Sequence, residues 1–154
     1  MTPLKILLVD DERQFAETLA QRLHLRGIAA DCAFSGKQAI HYLDNDKTVE
    51  VVIMDVNMPG GDGMETIREL KDRHPLVEVI MLTGQACIDA AIEAIKLGAF
   101  DYLSKPCELD QLIARAEQAV SRKKDREARI FDVRTKLYIT KQERDDLISR
   151  ILNG

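Results

Sequence analysis

Short apolar runs alternate with longer amphipathic stretches along most of the chain. The apolar runs cover residues 4–9, 28–34, 49–54, 77–82 and 99–103. Each is short and nearly continuously apolar, which is typical of strands that are buried on both faces of a parallel sheet. The pattern therefore predicts five strands.

The stretches between these runs have apolar residues three or four positions apart, which predicts helices at residues 15–25, 35–43, 65–72, 88–97 and 109–122. Local signals support several of the ends. Ser35 with Gln38 forms a capping box, His74 before Pro75 ends the third helix, and Gly98 closes the fourth.

Five strands that alternate with five helices predict an α/β fold. A closed barrel needs eight such units, so we expect an open, doubly wound, five-stranded parallel sheet. The expected strand order is 2-1-3-4-5, the flavodoxin-like arrangement. In such sheets ligands bind at the carboxyl ends of the strands, where strands 1 and 3 diverge.

Composition sets the size of the domain and the character of its surface. The chain has 154 residues, of which 45% are hydrophobic and 5% aromatic, so it suits one domain with an aliphatic core plus an appendage. Residues 1–120 carry 12 Lys+Arg and 20 Asp+Glu, a net charge of −8, and residues 121–154 carry 10 and 6, a net charge of +4. We therefore predict a domain at 1–120, which should repel nucleic acid, and a helical extension or linker at 121–154.

The surroundings in which the protein works are indicated by what the sequence does not contain. No apolar run approaches the length that spans a bilayer, and acids follow the N-terminus too early for a secretory signal. Cys32, Cys87 and Cys107 form neither a paired motif nor a zinc-ligand pattern. We expect reduced thiols, no membrane association and a cytoplasmic protein.

Carboxylates collect at the predicted ligand-binding edge. Strand 1 ends in Asp10 and Asp11, followed by Glu12, and strand 3 ends in Asp55. Carboxylates converging there would repel each other by about 4 kcal/mol per pair at 4 Å and an effective dielectric near 20, so the cluster needs cations. Hard oxygen ligands with positions left for water favour Mg²⁺, or Mn²⁺, over zinc.

Two further polar residues belong to the same edge. Lys105 follows strand 5 and Thr83 ends strand 4. Taken singly, the acids fit a helix cap, Thr83 another cap and Lys105 a surface lysine. Their joint placement favours a site for a phosphoryl group, with Asp55 as the natural acceptor.

Four motifs carry a resemblance to a known family. They are LLVDDE, VIMDVNMPGGDG, VIMLTG and GAFDYLSKP. Over residues 4–120 the chain resembles the receiver domain of two-component response regulators. The resemblance implies that Asp55 accepts a phosphoryl group from the phosphohistidine of a sensor histidine kinase or a phosphotransfer protein.

The resemblance also implies roles for the other residues. Asp11 and Asp55 would bind Mg²⁺ directly, Asp10 through water and Asn57 through its backbone carbonyl. Thr83 and Lys105 would contact the phosphoryl oxygens, and the peptide bond between Lys105 and Pro106 would be cis. Thr83 and Tyr102 would transmit the change to the surface formed by helix 4, strand 5 and helix 5, which would control a partner or an output domain in transcription regulation or a phosphorelay.

The extension ends in another helix signal, because Thr140 with Glu143 forms a second capping box. The helix that follows has a short apolar stripe, formed by Leu147, Ile148, Ile151 and Leu152. Such a stripe needs a partner. It could pack back on the domain, pair in a homodimer or lead into an output domain, and the sequence leaves these alternatives open.

Two other functions remain as alternatives. A metal-dependent phosphohydrolase would also use an aspartyl-phosphate, but Asn57 stands where a second acid would protonate the leaving group. A constitutive adaptor would act through the C-terminal helix alone. The preferred interpretation is a signalling protein, not an enzyme, that catalyses only its own phosphoryl transfer and dephosphorylation.

Overall fold

A computed structural model describes residues 4–56, 63–84, 88–136 and 138–154. The elements, in chain order, are β1 Lys5–Val9, α1 Arg13–Leu25, β2 Ala29–Ala33, α2 Gly36–Asn45, β3 Val51–Met54, α3 Gly63–Arg73, β4 Glu78–Thr83, α4 Ile88–Lys96, β5 Asp101–Ser104, α5 Leu109–Arg134 and α6 Lys141–Asn153. Asn57 and Cys87 lie outside the described residues.

The five strands form one parallel sheet in the order β2-β1-β3-β4-β5. The predicted fold class and strand order are therefore confirmed. Because β1 lies between β2 and β3, the chain crosses over to the other side of β1 after β2. Val9 is in register with Met54, and Thr83 with Ser104, so the carboxyl ends of neighbouring strands finish at one edge.

Alternate strand residues enter two separate cores. Leu7 and Val9 face the helices α2, α3 and α4, whereas Ile6 and Leu8 face α1 and α5. All four are at most 2% exposed. Burying such aliphatic side chains stabilises the sheet by about 1.5–3 kcal/mol each, and it fixes the register of the strands on which the polar edge depends.

The local signals that were read from the sequence are present at the ends of the helices. Ser35 Oγ accepts the N–H of Gln38, whose side chain accepts the N–H of Phe34. Gly98 has a φ of 116°, which favours glycine. At the start of α3, a Cβ on Gly63 would lie 2.8 Å from the carbonyl oxygen of Val56, so this close approach requires glycine.

Helix α5 is longer than the sequence indicated. It was predicted to end near residue 122 but continues unbroken to Arg134, across the proposed division at residue 120. The charged stretch at residues 123–127 does not end the helix because Arg122 and Arg126, one turn apart, both contact the buried Glu78 of β4. Neither α5 nor any other helix in the described parts of the chain is long and apolar enough to cross a membrane.

Helix α6 packs back on the end of α5. Thr140 Oγ1 accepts the N–H of Glu143 and starts the helix as the capping box predicted. Ile151 of α6 forms a small buried cluster with Ile130 and Val133 of α5, and Leu76 of the α3–β4 segment packs against it. Of the alternatives left open for the apolar stripe, the structure shows packing within the chain.

Candidate functional site

The carboxyl ends of the strands place the predicted polar residues side by side. The N–H of Asp55 donates to the carbonyl of Val9 at 2.9 Å, so the residues that follow β1 and β3 are neighbours. The N–H of Lys105 donates to the carbonyl of Thr83 at 2.6 Å, which fixes the end of β5 beside β4. Backbone pairing alone therefore sets the relative positions of the side chains.

Lys105 joins two of the carboxylates. Its Nζ lies 2.9 Å from Asp10 Oδ2 and 3.2 Å from Asp55 Oδ2. Asp10 and Asp55 are 4% and 8% exposed, so both charges are largely removed from water and depend on such contacts. Lys105 is 95 residues from Asp10 and 50 residues from Asp55 in sequence, yet it donates a hydrogen bond to each. Its side chain therefore points into the cluster.

Negative charge exceeds positive charge in this cluster. One oxygen each from Asp10, Asp11 and Asp55 lies within 4.8 Å of the others, and the described residues show the ammonium group of Lys105 in contact with Asp10 and Asp55. Burial alone lowers the pKa of Lys105, but the hydrogen bond to Asp10 and the charges of Asp10 and Asp55 more than offset this, so its pKa lies above the ordinary value. Lys105 is therefore a permanent cation at neutral pH.

Thr83 contributes a buried hydroxyl. The residue is 1% exposed, and its Oγ1 has no hydrogen-bond partner among the described residues. A buried hydroxyl that lacks a partner costs about 1–3 kcal/mol. Thr83 is in register with Ser104, the residue before Lys105, so the hydroxyl lies at the same edge as the ammonium group and is available as a donor to an anion.

Asp10 also supports the start of α1. Its Oδ1 accepts the N–H of Glu12 at 3.0 Å, while the N-cap residue Glu12 makes no side-chain cap of its own. The helix-capping interpretation of Asp10 is thus compatible with its place in the cluster, since one oxygen serves α1 and the other Lys105. Asp11 is exposed and turned towards solvent, which leaves its carboxylate accessible to an ion.

One residue of the site was missed from the sequence. The ring of Phe15, on the first turn of α1, lies under Lys105 with Nζ 4.3 Å from the ring centroid, a cation–π contact. Phe15 is 36% exposed, so it covers the lysine from one side without sealing the site. Its position four residues after Asp11, on a helix that begins at this edge, was the available signal.

The remaining predicted residues have different positions. The peptide bond between Lys105 and Pro106 is cis, the isomer that the resemblance implies. Tyr102 is half-buried, in register with Met81, and packs against the core on the side of α3 and α4. Asn57, expected to offer a backbone carbonyl, lies outside the described residues.

The donor set fits a hard divalent cation. Carboxylate oxygens grouped within 4.8 Å, with Asp11 open to water, match the oxygen ligands and retained waters of Mg²⁺. No cysteine or histidine belongs to the group within the described chain, so a soft-metal site is not favoured. Cys32 and Cys107 are free thiols that lie elsewhere.

Comparison with known proteins identifies the class to which this fold and site belong. The family model for the response regulator receiver domain matches residues 6–117. The chain belongs to the response regulator receiver family.

Its curated relatives include regulatory proteins. The chain is 39% identical to the regulatory protein AtoC of Escherichia coli over 124 residues, which are 79% of this chain and 27% of AtoC. It is 36% identical to the DNA-binding transcriptional regulator NtrC of Klebsiella pneumoniae, covering 74% of this chain and 24% of NtrC. It thus spans about a quarter of the length of these relatives.

Solved structures agree with the fold. A receiver domain protein from Clostridium thermocellum has a TM-score of 0.74 and 36% identity, covering 79% of this chain and 97% of that one. NtrX from Brucella abortus has a TM-score of 0.78 and 31% identity, covering 96% of this chain and 34% of that one. Because the match to NtrX covers 96% of this chain, it includes most of the C-terminal extension.

Proposed function

We propose that this protein accepts a phosphoryl group on Asp55 from the phosphohistidine of a sensor histidine kinase or a phosphotransfer protein. The observation that carries the proposal is the contact of Lys105 with both Asp10 and Asp55. Beside it lies the buried hydroxyl of Thr83, which has no hydrogen-bond partner among the described residues. A nucleophilic carboxylate, a fixed cation and a free donor at one edge suit phosphoryl transfer.

In the proposed reaction, a carboxylate oxygen of Asp55 forms a bond to phosphorus as the bond from phosphorus to the histidine nitrogen breaks. Lys105 Nζ already lies 3.2 Å from Asp55, so a small shift brings it to a phosphoryl oxygen. The Thr83 hydroxyl donates to a second oxygen. Both groups offset the charge of about −1.5 to −2 that a phosphoryl group adds.

Asp10, Asp11 and Asp55 would hold Mg²⁺, or Mn²⁺, with the backbone carbonyl of Asn57 proposed as a further ligand. Asp11 and Asp55 are proposed as direct ligands and Asp10 as a ligand through water. When bound, the ion would neutralise carboxylate charge and reduce repulsion of the incoming phosphoryl group. Among the described residues, three grouped carboxylates face the ammonium group of Lys105, and this excess of negative charge supports the proposal.

We further propose that phosphorylation changes the surface formed by α4, β5 and α5. Movement of Thr83 towards the phosphoryl group would leave room for Tyr102, one strand away, to turn inward. The side chains of Ile92 and Ile95 on α4 are 45% and 39% exposed, so this surface has apolar contacts to offer a partner or a second copy of the chain. A switch from 1% to 99% active needs about 5.5 kcal/mol of differential stabilisation.

We also propose different roles for residues 1–120 and residues 121–154. The first segment would carry the chemistry, and the second would form a helical extension continuous with α5. The two curated relatives named above are longer than this chain, and NtrC is described as a DNA-binding transcriptional regulator, which supports control of a partner or output domain. We place the function in the cytoplasm, with nucleic acid contacted by a partner or output domain and not by the acidic receiver.

The central test is labelling by acetyl phosphate with Mg²⁺, followed by intact mass. Wild-type protein should gain one phosphoryl group, and Asp55→Asn should lose at least about 100-fold in labelling rate because the amide is a poor nucleophile. Asp132→Asn, an exposed acid on α5, is the matched control and should label as the wild type does. Undiminished labelling of Asp55→Asn would remove this residue as the acceptor.

The same preparation separates the alternatives. Many turnovers on small phosphomonoesters would favour a phosphohydrolase, whereas we expect at most slow loss of the protein's own phosphoryl group. An adaptor acting through α6 alone would need its apolar stripe, but Ile151 is already packed against α5. Elution of the protein with and without beryllofluoride and Mg²⁺ measures whether a homodimer accompanies activation.

A further inference from the structure

A cavity of about 670 Å³ lies at the opposite end of the sheet from Asp55, between the end of α3, the α4–β5 segment, α5 and α6. Its size is that of a small-molecule site. Five of its lining residues are cations: Lys71, Lys96, Arg122, Arg126 and Arg134. The acidic side chains that line it among the described residues are those of Asp72 and Asp145, both exposed, and Gly154 also lines it.

One buried carboxylate serves the inner cations. Glu78 is fully buried, and Arg122 donates to its Oε2 through Nε at 2.8 Å and through Nη2. Arg126 Nη1 lies 3.5 Å from Glu78 Oε1, an ion pair without a hydrogen bond. A single negative charge therefore faces two guanidinium groups, and the hydrogen-bond capacity of Arg126 is unused among the described residues.

Lys71 adds a third positive charge to the inner end. Its Nζ donates to the carbonyls of Pro75 and Val77 at 3.0 Å each, which leaves one N–H. Burial, partly offset by the attraction of Glu78 and reinforced by the charges of Arg122 and Arg126, lowers the pKa of Lys71 to about 8. The amine is thus charged at neutral pH although its surroundings disfavour the charge.

The balance of charge defines the ligand chemistry. Five cationic side chains face three side-chain carboxylates, those of Asp72, Asp145 and Glu78. Two of the cations, Lys96 and Arg134, are exposed and make no ion pair with a described residue. Arg126, by contrast, is only 7% exposed. A walled cavity with a buried guanidinium group and surplus positive charge suits an anion with several oxygens.

We propose that this cavity binds a small, multiply charged phosphate compound. Arg126 and the remaining N–H of Lys71 hold its inner oxygens, and Lys96 and Arg134 close over its outer ones. The ligand would lie between the receiver body and α6, so its binding would fix the packing of the extension. This site is separate from the phosphoacceptor edge and does not depend on the function proposed for it.

The test is calorimetric titration of the full chain with pyrophosphate, without Mg²⁺ and in the presence of EDTA. We expect saturable 1:1 binding, with shifts of the backbone amide resonances of Gly98 and Ser149, which line the cavity. Asp55→Asn should bind equally well. The absence of saturable binding up to 10 mM, or shifts confined to the opposite edge of the sheet, would overturn the proposal.

Two double variants test whether the exposed cations of the cavity contribute to pyrophosphate binding. The exposed pair Lys96→Gln with Arg134→Gln should weaken pyrophosphate binding about 5- to 10-fold while leaving thermal stability unchanged. The matched pair Lys37→Gln with Arg68→Gln removes the same charge from exposed positions on α2 and α3 and should change affinity less than 2-fold. Equal losses in the two pairs would mean general charge attraction and would contradict a built site.

A third variant tests the buried guanidinium group. Arg126→Gln should weaken binding at least about 10-fold, because a charge-assisted hydrogen bond is lost at the inner end. Circular dichroism of this variant establishes that it is folded before its affinity is measured. Unchanged affinity in the folded variant would remove Arg126 from the site.

Discussion

The two ends of the sheet carry charged clusters of opposite composition. At the carboxyl ends, Asp10, Asp11 and Asp55 surround one ammonium group. At the amino ends, one carboxylate, Glu78, is surrounded by Arg122 and Arg126. Both clusters join elements distant in sequence, yet the first has surplus negative charge that a metal and a phosphoryl group would alter.

The clusters differ in how far their charges are paired within the described chain. Glu78 receives two hydrogen bonds from Arg122 at one oxygen, and this contact fixes α5 against β4. Thr83, at the other end, has a buried hydroxyl without a partner among the described residues. Glu78 Oε1 also lacks a hydrogen bond among the described residues, but it lies 3.5 Å from Arg126 Nη1. The charge of Glu78 is therefore paired within the chain and is expected to stabilise the fold, whereas the Thr83 hydroxyl is left as a donor for a ligand.

The largest expected effect follows from breaking the ion pairs of Glu78 with Arg122 and Arg126. Glu78→Gln removes the carboxylate from two guanidinium groups, one of them on a residue only 7% exposed, and should lower the free energy of unfolding by about 3–5 kcal/mol. Urea denaturation at pH 7 measures it.

Glu50→Gln is the matched control for this change. Glu50 is also buried at the amino end of the sheet but makes no ion pair with a described residue, so its substitution should cost about 1 kcal/mol or less. If both substitutions cost the same, the arginine contacts contribute nothing beyond burial.

A smaller change in stability is expected when metal is added to the cluster of Asp10, Asp11 and Asp55 at the carboxyl ends of the strands. Mg²⁺ at ten times its dissociation constant should raise the free energy of unfolding by about 1.4 kcal/mol, because it binds the folded cluster and not the unfolded chain. Thermal unfolding with MgCl₂, compared with NaCl of equal ionic strength, measures the gain. Asp11→Asn should reduce it, and an equal gain in this variant would place the ion elsewhere.

The grouping of the acidic cluster could be predicted from the sequence because each of its residues directly follows a strand. Once the apolar runs identified β1, β3 and β5, the residues that follow them, Asp10, Asp55 and Lys105, had to share one edge. Thr83 at the end of β4 was found by the same argument. Phe15 was missed because its contact with Lys105 depends on the orientation of α1, which periodicity does not specify.

The contacts of Glu78 with Arg122 and Arg126 were not predicted, because they join segments that are far apart in sequence. Glu78 interrupts an apolar strand, and its partner Arg122 is 44 residues away, so no pattern within either segment reveals the contact. The fifth helix was predicted to end near residue 122, so Arg126 lay outside it. The spacing of Arg122 and Arg126, one turn apart, was the available signal that this face of α5 meets an acid.

The next smaller change in stability is expected from removing one of the three carboxylates that repel each other at the carboxyl ends of the strands. In EDTA, Asp11→Asn should raise the free energy of unfolding by about 0.5–1 kcal/mol, since it removes one of three neighbouring carboxylates without disturbing either contact of Lys105. Asp10→Asn, which weakens a contact with Lys105 at 2.9 Å, should not stabilise the protein. Urea denaturation of both variants checks the contrast, and destabilisation by Asp11→Asn would mean that the acids do not strain the fold.

The smallest effect concerns a partly buried pair near the amino end of β1. Lys5 Nζ lies 2.5 Å from Asp46 Oδ2, and the two side chains are 24% and 25% exposed. The hydrogen bond from Lys5, and then those from Thr48, hold the pKa of Asp46 well below its usual range. A lowered carboxyl pKa contributes stability above the unfolded-state value near 4 and loses it as the pH falls below that value.

The advantage of wild type over Asp46→Asn in unfolding free energy should therefore be about 0.5–1 kcal/mol at pH 7 and shrink below about pH 4. Urea denaturation at both pH values measures it, with Asp132→Asn as an exposed control that should show no such trend. Since Lys5 and Asp46 lie at the same end of the sheet as Glu78, a loss much smaller than that of Glu78→Gln would show that burial, and not position, determines how strongly a charged pair stabilises this fold. A loss of several kcal/mol on removing Asp46 would contradict that reasoning.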